Sequence, residues 1–372
     1  MIKIQSVPKN LTKPHKEAVA LLKQLIQQAS FSRAEEATAA ILAKFLRGRG
    51  VSIHRQDHNI WAWNRHRQDG LPTILLNSHH DTIRPVKSWT RDPFAAEVEG
   101  DRLFGLGSND AGASLVALIA TFLHFYRQED LPFNLVLAAT AEEEISGPKG
   151  IASILPALGK IDGAIVGEPT QMRMAVAERG LMVIDGEAIG QAGHAAREEG
   201  INAIYLAMED IWRLRNYRFE KNSEFLGPVK VSLTQIEAGT QHNVVPDCCR
   251  FVLDVRSNEQ YSNQQIFEQL QGLVQSNLKA RSFRLNASGI ALDHPLVKSG
   301  QALGLSTFGS PTLSDQALLP FPSIKLGPGK SARSHTANEF VRLSEIQLGI
   351  QGYIQLLSSI NPSFFYETLA KK

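Results

Sequence analysis

The sequence predicts an α/β fold, a largely parallel sheet covered by helices, interrupted by an inserted α+β domain. Three observations predict it. The apolar runs Ile74–Leu76, Phe133–Ala139 and Gly163–Val166 read as short buried strands, and they alternate with helical stretches. Near Ala175 the pattern changes to the polar–apolar alternation of half-exposed strands. From about Gly289 onward the α/β alternation resumes. The expected first domain is therefore residues 1–174 with 287–372, and the expected second domain is residues 175–286.

At 372 residues the chain has room for about two domains with substantial cores. Its 39 basic and 37 acidic residues are interspersed, which argues against nucleic acid or an anionic membrane as the main partner. No apolar run reaches the roughly 18 residues of a membrane span. The opening Met1-Ile2-Lys3-Ile4-Gln5 lacks the apolar core of a secretory signal. The two cysteines, Cys248 and Cys249, are adjacent and cannot build a disulfide framework. Core packing and a reducing cytoplasm are expected for them.

Ser32-Arg33-Ala34-Glu35 matches a capping box. Ala34, Ala37, Ile41 and Phe45 then mark an amphipathic helix that ends near Gly48 and Gly50. Strands are expected around Val51–His54 and Ile60–Trp63. The strand Ile74–Leu76 runs into Asn77-Ser78-His79-His80-Asp81-Thr82, which places a His-x-Asp at its carboxyl end. Ligands bind at carboxyl ends in open α/β sheets. A metal-bound His commonly gives its second ring N–H to a carboxylate or carbonyl, and Asp81 is placed to take it. The plain alternative is a polar loop after a core strand.

Gly105-Leu106-Gly107-Ser108-Asn109-Asp110-Ala111-Gly112 precedes a helix marked by Leu115, Leu118, Ile119 and Phe122. Its spacing is neither a dinucleotide fingerprint nor a P-loop, and an Asp just before a helix is ordinarily a cap. The strand Phe133–Ala139 ends in Thr140-Ala141-Glu142-Glu143-Glu144. Three adjacent carboxylates suit an exposed helix start; at the end of a core strand they call for a cation. Gly163–Val166 ends in Gly167-Glu168-Pro169-Thr170.

In the insertion, helices near Asn202–Leu214 and Gln264–Leu278 alternate with strands near Val229–Ile236, Phe251–Val255 and Phe283–Leu285. That order suggests a ferredoxin-like sandwich with both helices on one face. Beyond it lie a helix after Pro295, a strand near Ser323–Leu326, then Gly327-Pro328-Gly329 and Ser334-His335. A final helix, Leu343–Leu357, carries Ile346, Ile350, Ile354 and Leu357 on one face.

His79, Asp110, Glu143-Glu144 and Glu168 thus stand at strand ends or adjoining loops, and His335 on a late loop. Two imidazoles and three carboxylates exceed the needs of one tetrahedral zinc. They suit two metals about 3.5–4 Å apart that share a carboxylate, activate water and polarise a carbonyl. A spare Glu in Glu143-Glu144 would serve as general base.

With these motifs in order, and with Asn243-Val244-Val245-Pro246, nearly the whole chain resembles the di-zinc amidohydrolases and metallopeptidases. That family includes acetylornithine deacetylase, succinyl-diaminopimelate desuccinylase, aminoacylase and glutamate carboxypeptidase. The resemblance implies two Zn2+ ions, with Co2+ or Mn2+ as substitutes. It implies that Asp110 bridges them, that His79 and Glu168 complete one site, and that Glu144 and His335 complete the other. Glu143 is then the general base and Asp81 supports His79; Glu142 stands where the family usually has Asp. The insertion matches the family's lid and dimerisation domain, which implies a homodimer. His194, in Gly190-Gln191-Ala192-Gly193-His194, matches a His that reaches the partner's active site and stabilises the oxyanion, although on sequence alone an exposed loop histidine is the alternative. Asn243, Arg256 and Gly329 match substrate-holding positions, although Arg256 lies in a strand pattern where a structural salt bridge is the alternative.

The wording of the His79 and Asp110 motifs looks most like the bacterial acetylornithine deacetylase-type enzymes of arginine biosynthesis. This implies hydrolysis of the amide of a small-molecule N-acyl-L-amino acid, with N-acetyl- or N-succinyl-L-ornithine or -citrulline leading. A dipeptidase or succinyl-diaminopimelate desuccinylase of the same family is the alternative, and a non-catalytic metal-binding homologue is the rival of another class. A succinyl tail would want an extra cationic partner; Arg84, Lys87, Lys330 and Arg333 lie near the motifs and leave acetyl and succinyl both open.

Overall fold

The computed structural model describes residues 12–197 and 199–360, so the expectation about Met1–Gln5 falls outside the described residues. The chain divides into two compact units: Met1–Val176 with Ile290–Phe308 and Ser314–Lys372, and Ala177–Gly289 with Gly309–Leu313.

In the first unit the strands Thr73–His79, Asn134–Thr140, Gly163–Val166 and Ser323–Lys325 are buried along their length. Strands covered on both faces have no reason to alternate, which explains their continuous apolar runs. Thr73–His79 runs parallel to Asn134–Thr140, with His79 opposite Thr140, and parallel to Gly163–Val166. Ser323–Lys325 is parallel to Gly163–Val166 in turn. The order across the sheet is His54–Gln56, Asn59–Trp63, Asn134–Thr140, Thr73–His79, Gly163–Val166, Ser323–Lys325, Met174–Glu178. Asn59–Trp63 and Met174–Glu178 pair antiparallel at the flanks. The parallel register carries four carboxyl ends to one edge, where the His79, Glu142–Glu144, Glu168 and Gly327–His335 segments follow. Ala113–Phe125 buries Leu115, Leu118, Ile119 and Phe122, and packs on Leu343–Ser358.

The capping box at Ser32 does not form. The helix begins at Glu36, and the Ser32 hydroxyl donates instead to Asp81 Oδ2 at 2.7 Å. Glu35 is buried and accepts from Arg33 N at 2.7 Å and from Glu142 N at 3.2 Å. Tertiary partners thus take both side chains away from the local cap, and Asp81 gains a donor.

The second unit holds a four-stranded antiparallel sheet in the order Lys230–Ala238, Cys248–Arg256, Met182–Ile189, Asn277–Ala280. In chain order this is the β-α-β-β-α-β arrangement of ferredoxin-like folds. Met182, Ile184 and Ala188 alternate inward and meet Phe251, Leu253 and residues of the helices Ala203–Asn216 and Asn263–Gln271. Gly186 is required opposite Phe251, because a Cβ there would lie 2.3 Å from the Phe251 ring. The second helix is shorter than its sequence pattern predicts. It stops at Gln271 before Gly272, and Asn277–Ala280 becomes the edge strand with Leu278 buried. The strand expected at Phe283–Leu285 is displaced to that position. Gly309–Leu313, expected with the first domain, belongs to the second unit, where the Ser310 carbonyl accepts from Arg179 N at 3.1 Å.

Cys249 is fully buried in the second unit's core, Cys248 is half-buried, and neither is in a disulfide. No helix among the described residues is long and apolar enough to cross a membrane.

Candidate metal centre

His79 closes its strand with 1 % of its surface exposed. Its Nδ1 lies 3.0 Å from the main-chain carbonyl of Asp81, which accepts only, so Nδ1 carries the donated proton. Nε2 is buried with no hydrogen-bond partner. It faces Asp110 Oδ1 at 3.5 Å, Glu168 Oε1 at 3.6 Å and Glu143 Oε2 at 3.8 Å. An unpartnered buried nitrogen surrounded by carboxylates at more than hydrogen-bond distance fits a divalent cation with nitrogen and oxygen ligands.

Asp110 lies in the turn Ser108–Gly112, after Gly107 at φ +74°. While Oδ1 faces His79, Oδ2 lies 3.7 Å from His335 Nε2. One carboxylate therefore faces two imidazoles. His335 also meets Glu144, its Nε2 2.9 Å from Oε2. The ligand atoms of His79, Asp110 and Glu144 lie within 4.8 Å of one another, as do those of His79, Glu143 and Glu168. All five ligand positions expected from sequence, with Glu143, are thus brought together.

The electrostatics are those of a site crowded with negative charge. Burial lowers the His79 pKa, but Glu143, Asp110, Asp81 and Glu168 outweigh it and hold the imidazole well above its ordinary value. Burial pushes Glu143 well above the ordinary carboxylate range, and Glu168, Asp315 and Glu144 add to this against His79. Burial, then Asp110, pushes Glu168 up to about 8. His335 is raised to about 9, chiefly by its bond to Glu144. Burial opposes ionisation of Asp110, yet His79, Ser334 and His335 hold its carboxyl below the ordinary value. Such mutual repulsion is relieved by cations, with release of protons on loading.

Asp81 supports His79 through its main chain; its carboxylate has a second task. Oδ1 accepts from Glu143 N at 3.1 Å, and Oδ2 accepts from Glu144 N at 3.2 Å and from Ser32. It therefore fixes the turn that presents both glutamates. Glu142, at φ +55°, folds back to accept from Lys149 N at 3.2 Å. Glu143 rather than Glu142 is left facing His79. Gly329, at φ +91°, leaves room for Asn109, whose Oδ1 would sit 2.5 Å from a Cβ there. Of the cations noted in sequence, Arg333 is forked onto Glu345 at 2.7 and 3.1 Å, and Arg84 lies over the Phe31 ring.

His194, Asn243 and Arg256 lie in the second unit. His194 is exposed on a two-stranded ribbon opposite Val244, and the Asn243 carbonyl accepts from Ala195 N at 3.1 Å. Arg256 is forked onto Asp254 of its own strand at 2.8 and 3.0 Å, which is the salt-bridge alternative.

Two buried carboxylates escaped the sequence pattern. Asp315 accepts from Asn77 Nδ2 and Thr140 Oγ1, both at 2.8 Å, beneath His79 and Glu143. Glu339 accepts three main-chain N–H bonds from the loop that carries Asp110. The available signal was polar Asn77 and Thr140 inside buried strands; nothing local marks Glu339.

The model of peptidase family M20/M25/M40 matches residues 75–359. A succinyl-diaminopimelate desuccinylase of Leptothrix cholodnii is 29 % identical over 290 residues, covering 71 % of this chain and 74 % of its own length. Succinyl-diaminopimelate desuccinylase 2 of a Ruegeria species is 26 % identical over 273 residues, 68 % of each chain. Among solved structures, the YXEP protein of Bacillus subtilis, described as a dinuclear metal-binding peptidase, superposes with a TM-score of 0.72. It is 18 % identical over 93 % of this chain and 98 % of its own, a likeness of fold.

Proposed function

The chain belongs to peptidase family M20/M25/M40, and from that membership we propose that it hydrolyses the amide bond of an N-acyl-L-amino acid with two zinc ions. The observation that carries this is the Asp110 carboxylate, whose two oxygens face two imidazoles amid Glu143, Glu144 and Glu168. Asp110 would be the shared ligand, with His79 and Glu168 holding one ion and Glu144 and His335 the other. Two such ions, when bound, supply Lewis acidity to the substrate carbonyl and lower the pKa of water.

The chain's own residues do the rest. Glu143, whose Oε2 faces the site 3.8 Å from His79 Nε2, takes the proton of the attacking water on its carboxylate and gives it to the leaving nitrogen. Asp81 holds Glu143 in place through the Glu143 N–H. His79 keeps Nε2 turned to the carboxylates because Nδ1 is anchored on the Asp81 carbonyl.

The second unit supplies a homodimer contact in this proposal. Helix Ala203–Asn216 exposes Tyr205, Met208 and Trp212 along one stripe. Strand Lys230–Ala238, at the edge of its sheet, exposes Leu233 and Ile236. His194 then serves the partner's site by stabilising the oxyanion, and Asn243 and Arg256 hold substrate. Arg256 must release Asp254 to do so. His194→Ala and Glu143→Ala dimers are each expected to be inactive. Mixed under proven exchange, they should regain about a quarter of the wild-type rate, because half the dimers are hybrids with one complete site. No recovery would remove the cross-dimer role.

The leading substrates are N-acetyl- or N-succinyl-L-ornithine and -citrulline, in arginine biosynthesis in the cytoplasm, a compartment that suits two cysteines outside any disulfide. The names of the curated relatives favour a second reading, succinyl-diaminopimelate. Release of free amine from these compounds and a dipeptide, with zinc and after chelation, decides between them. Zinc-dependent turnover of one N-acyl compound is expected; turnover of the dipeptide alone would replace the proposal with a peptidase.

A further inference from the structure

Glu339 is a buried carboxylate with no part in the reaction described above. It precedes the strand Phe340–Arg342, which pairs with Arg102–Phe104 in the register Phe340 opposite Phe104. That pairing carries Glu339 under the loop Gly105–Asp110, and its own carbonyl accepts from Gly105 N at 3.0 Å. Its Oε1 accepts from Asn109 N at 2.7 Å and Asp110 N at 2.9 Å, and Oε2 accepts from Gly107 N at 3.0 Å. The loop is tied on its other side by Asn109, whose Oδ1 accepts from Lys330 N at 2.8 Å and whose Nδ2 donates to the Lys330 carbonyl at 3.2 Å. Gly107 at φ +74° gives the loop its turn.

We propose that Glu339 is the positioning residue of the metal centre: by receiving the N–H groups of Gly107, Asn109 and Asp110, it fixes the backbone from which Asp110 faces both His79 and His335. It touches neither ion site directly and acts through Asp110. Three main-chain donors on one buried carboxylate leave the loop little freedom to rotate Asp110 away from either imidazole. The same segment carries His335 four residues earlier, so one stretch of chain delivers a ligand and aligns the shared one. The assignment rests on the two-metal reading of this site.

The test is Glu339→Gln, which keeps the volume but sets an NH2 against at least one of the three N–H donors. Zinc retained in equilibrium dialysis against buffered zinc, and the visible absorption of the cobalt-loaded protein, are compared with wild type. The melting temperature of the metal-free proteins is measured alongside. Zinc affinity is expected to fall roughly 10–100-fold, the usual effect of losing an outer partner. The cobalt spectrum is expected to change, while the metal-free melting temperature stays near that of wild type. Should Glu339→Gln fail to fold, Glu339→Asp takes its place. It retains the charge but lacks the reach to hold all three donors, and a smaller loss of affinity with the same spectral change is expected. Unchanged zinc affinity and cobalt spectrum in a folded variant would overturn the assignment, as would a lowered melting temperature as the sole effect. Wild type taking up two ions beside such a variant means that Glu339 alone was misassigned. Wild type failing to take up two ions removes the underlying reading.

Discussion

Glu143→Ala is expected to keep both metals and to lose about 10²–10⁴-fold in turnover, the range a positioned general base contributes. The geometry explains why the two effects separate. Glu143 Oε2 lies 3.8 Å from His79 Nε2, whereas Asp110 and Glu168 approach the same nitrogen at 3.5 and 3.6 Å. Removing Glu143 leaves one imidazole and two carboxylates on that side. The Asp81 carboxylate keeps its bond to the Glu144 main chain, so Glu144 stays in place. Metal content by elemental analysis, beside the rate of amine release, checks both halves. Loss of metal with loss of rate would make Glu143 a ligand, and a rate near wild type would end its role as base.

Asp110→Asn is expected to do the opposite, losing the metals first. The substitution keeps the shape and leaves the Asp110 N–H on Glu339, so the loop remains anchored. It removes the charge that faces both His79 and His335. A shared ligand serves two ions, so the fall in zinc affinity should exceed the ~10–100-fold typical of an outer partner, with turnover near background. Equilibrium dialysis of both ions against turnover measures this. Retention of two tightly bound ions would show that Asp110 does not bridge.

The parts of this molecule that could be read in advance are those set by short-range patterns. Thr73–His79 and Asn134–Thr140 announce themselves because burial on both faces demands continuous apolar residues. Their parallel register then places His79 and the Glu142–Glu144 turn together. Where a distant partner competes with a local one, the pattern misleads. Ser32 looks like a helix cap but donates to Asp81, and Leu278 continues a helical stripe but enters an edge strand. The supporting carboxylates are the least legible. Glu339 and Asp110 are 229 positions apart in sequence, and only the pairing of Phe340–Arg342 with Arg102–Phe104 joins them. Arg333 shows the converse: a cation well placed in sequence is already forked onto Glu345.

Two-metal hydrolysis of an N-acyl amide is tested by a stepwise zinc titration of the chelated protein. Amine release from the best N-acyl substrate is followed at each step. Almost no turnover is expected without metal, and full turnover once two zinc ions are bound per chain. Full turnover in the chelated protein, or saturation at a single ion with no further uptake, would contradict it.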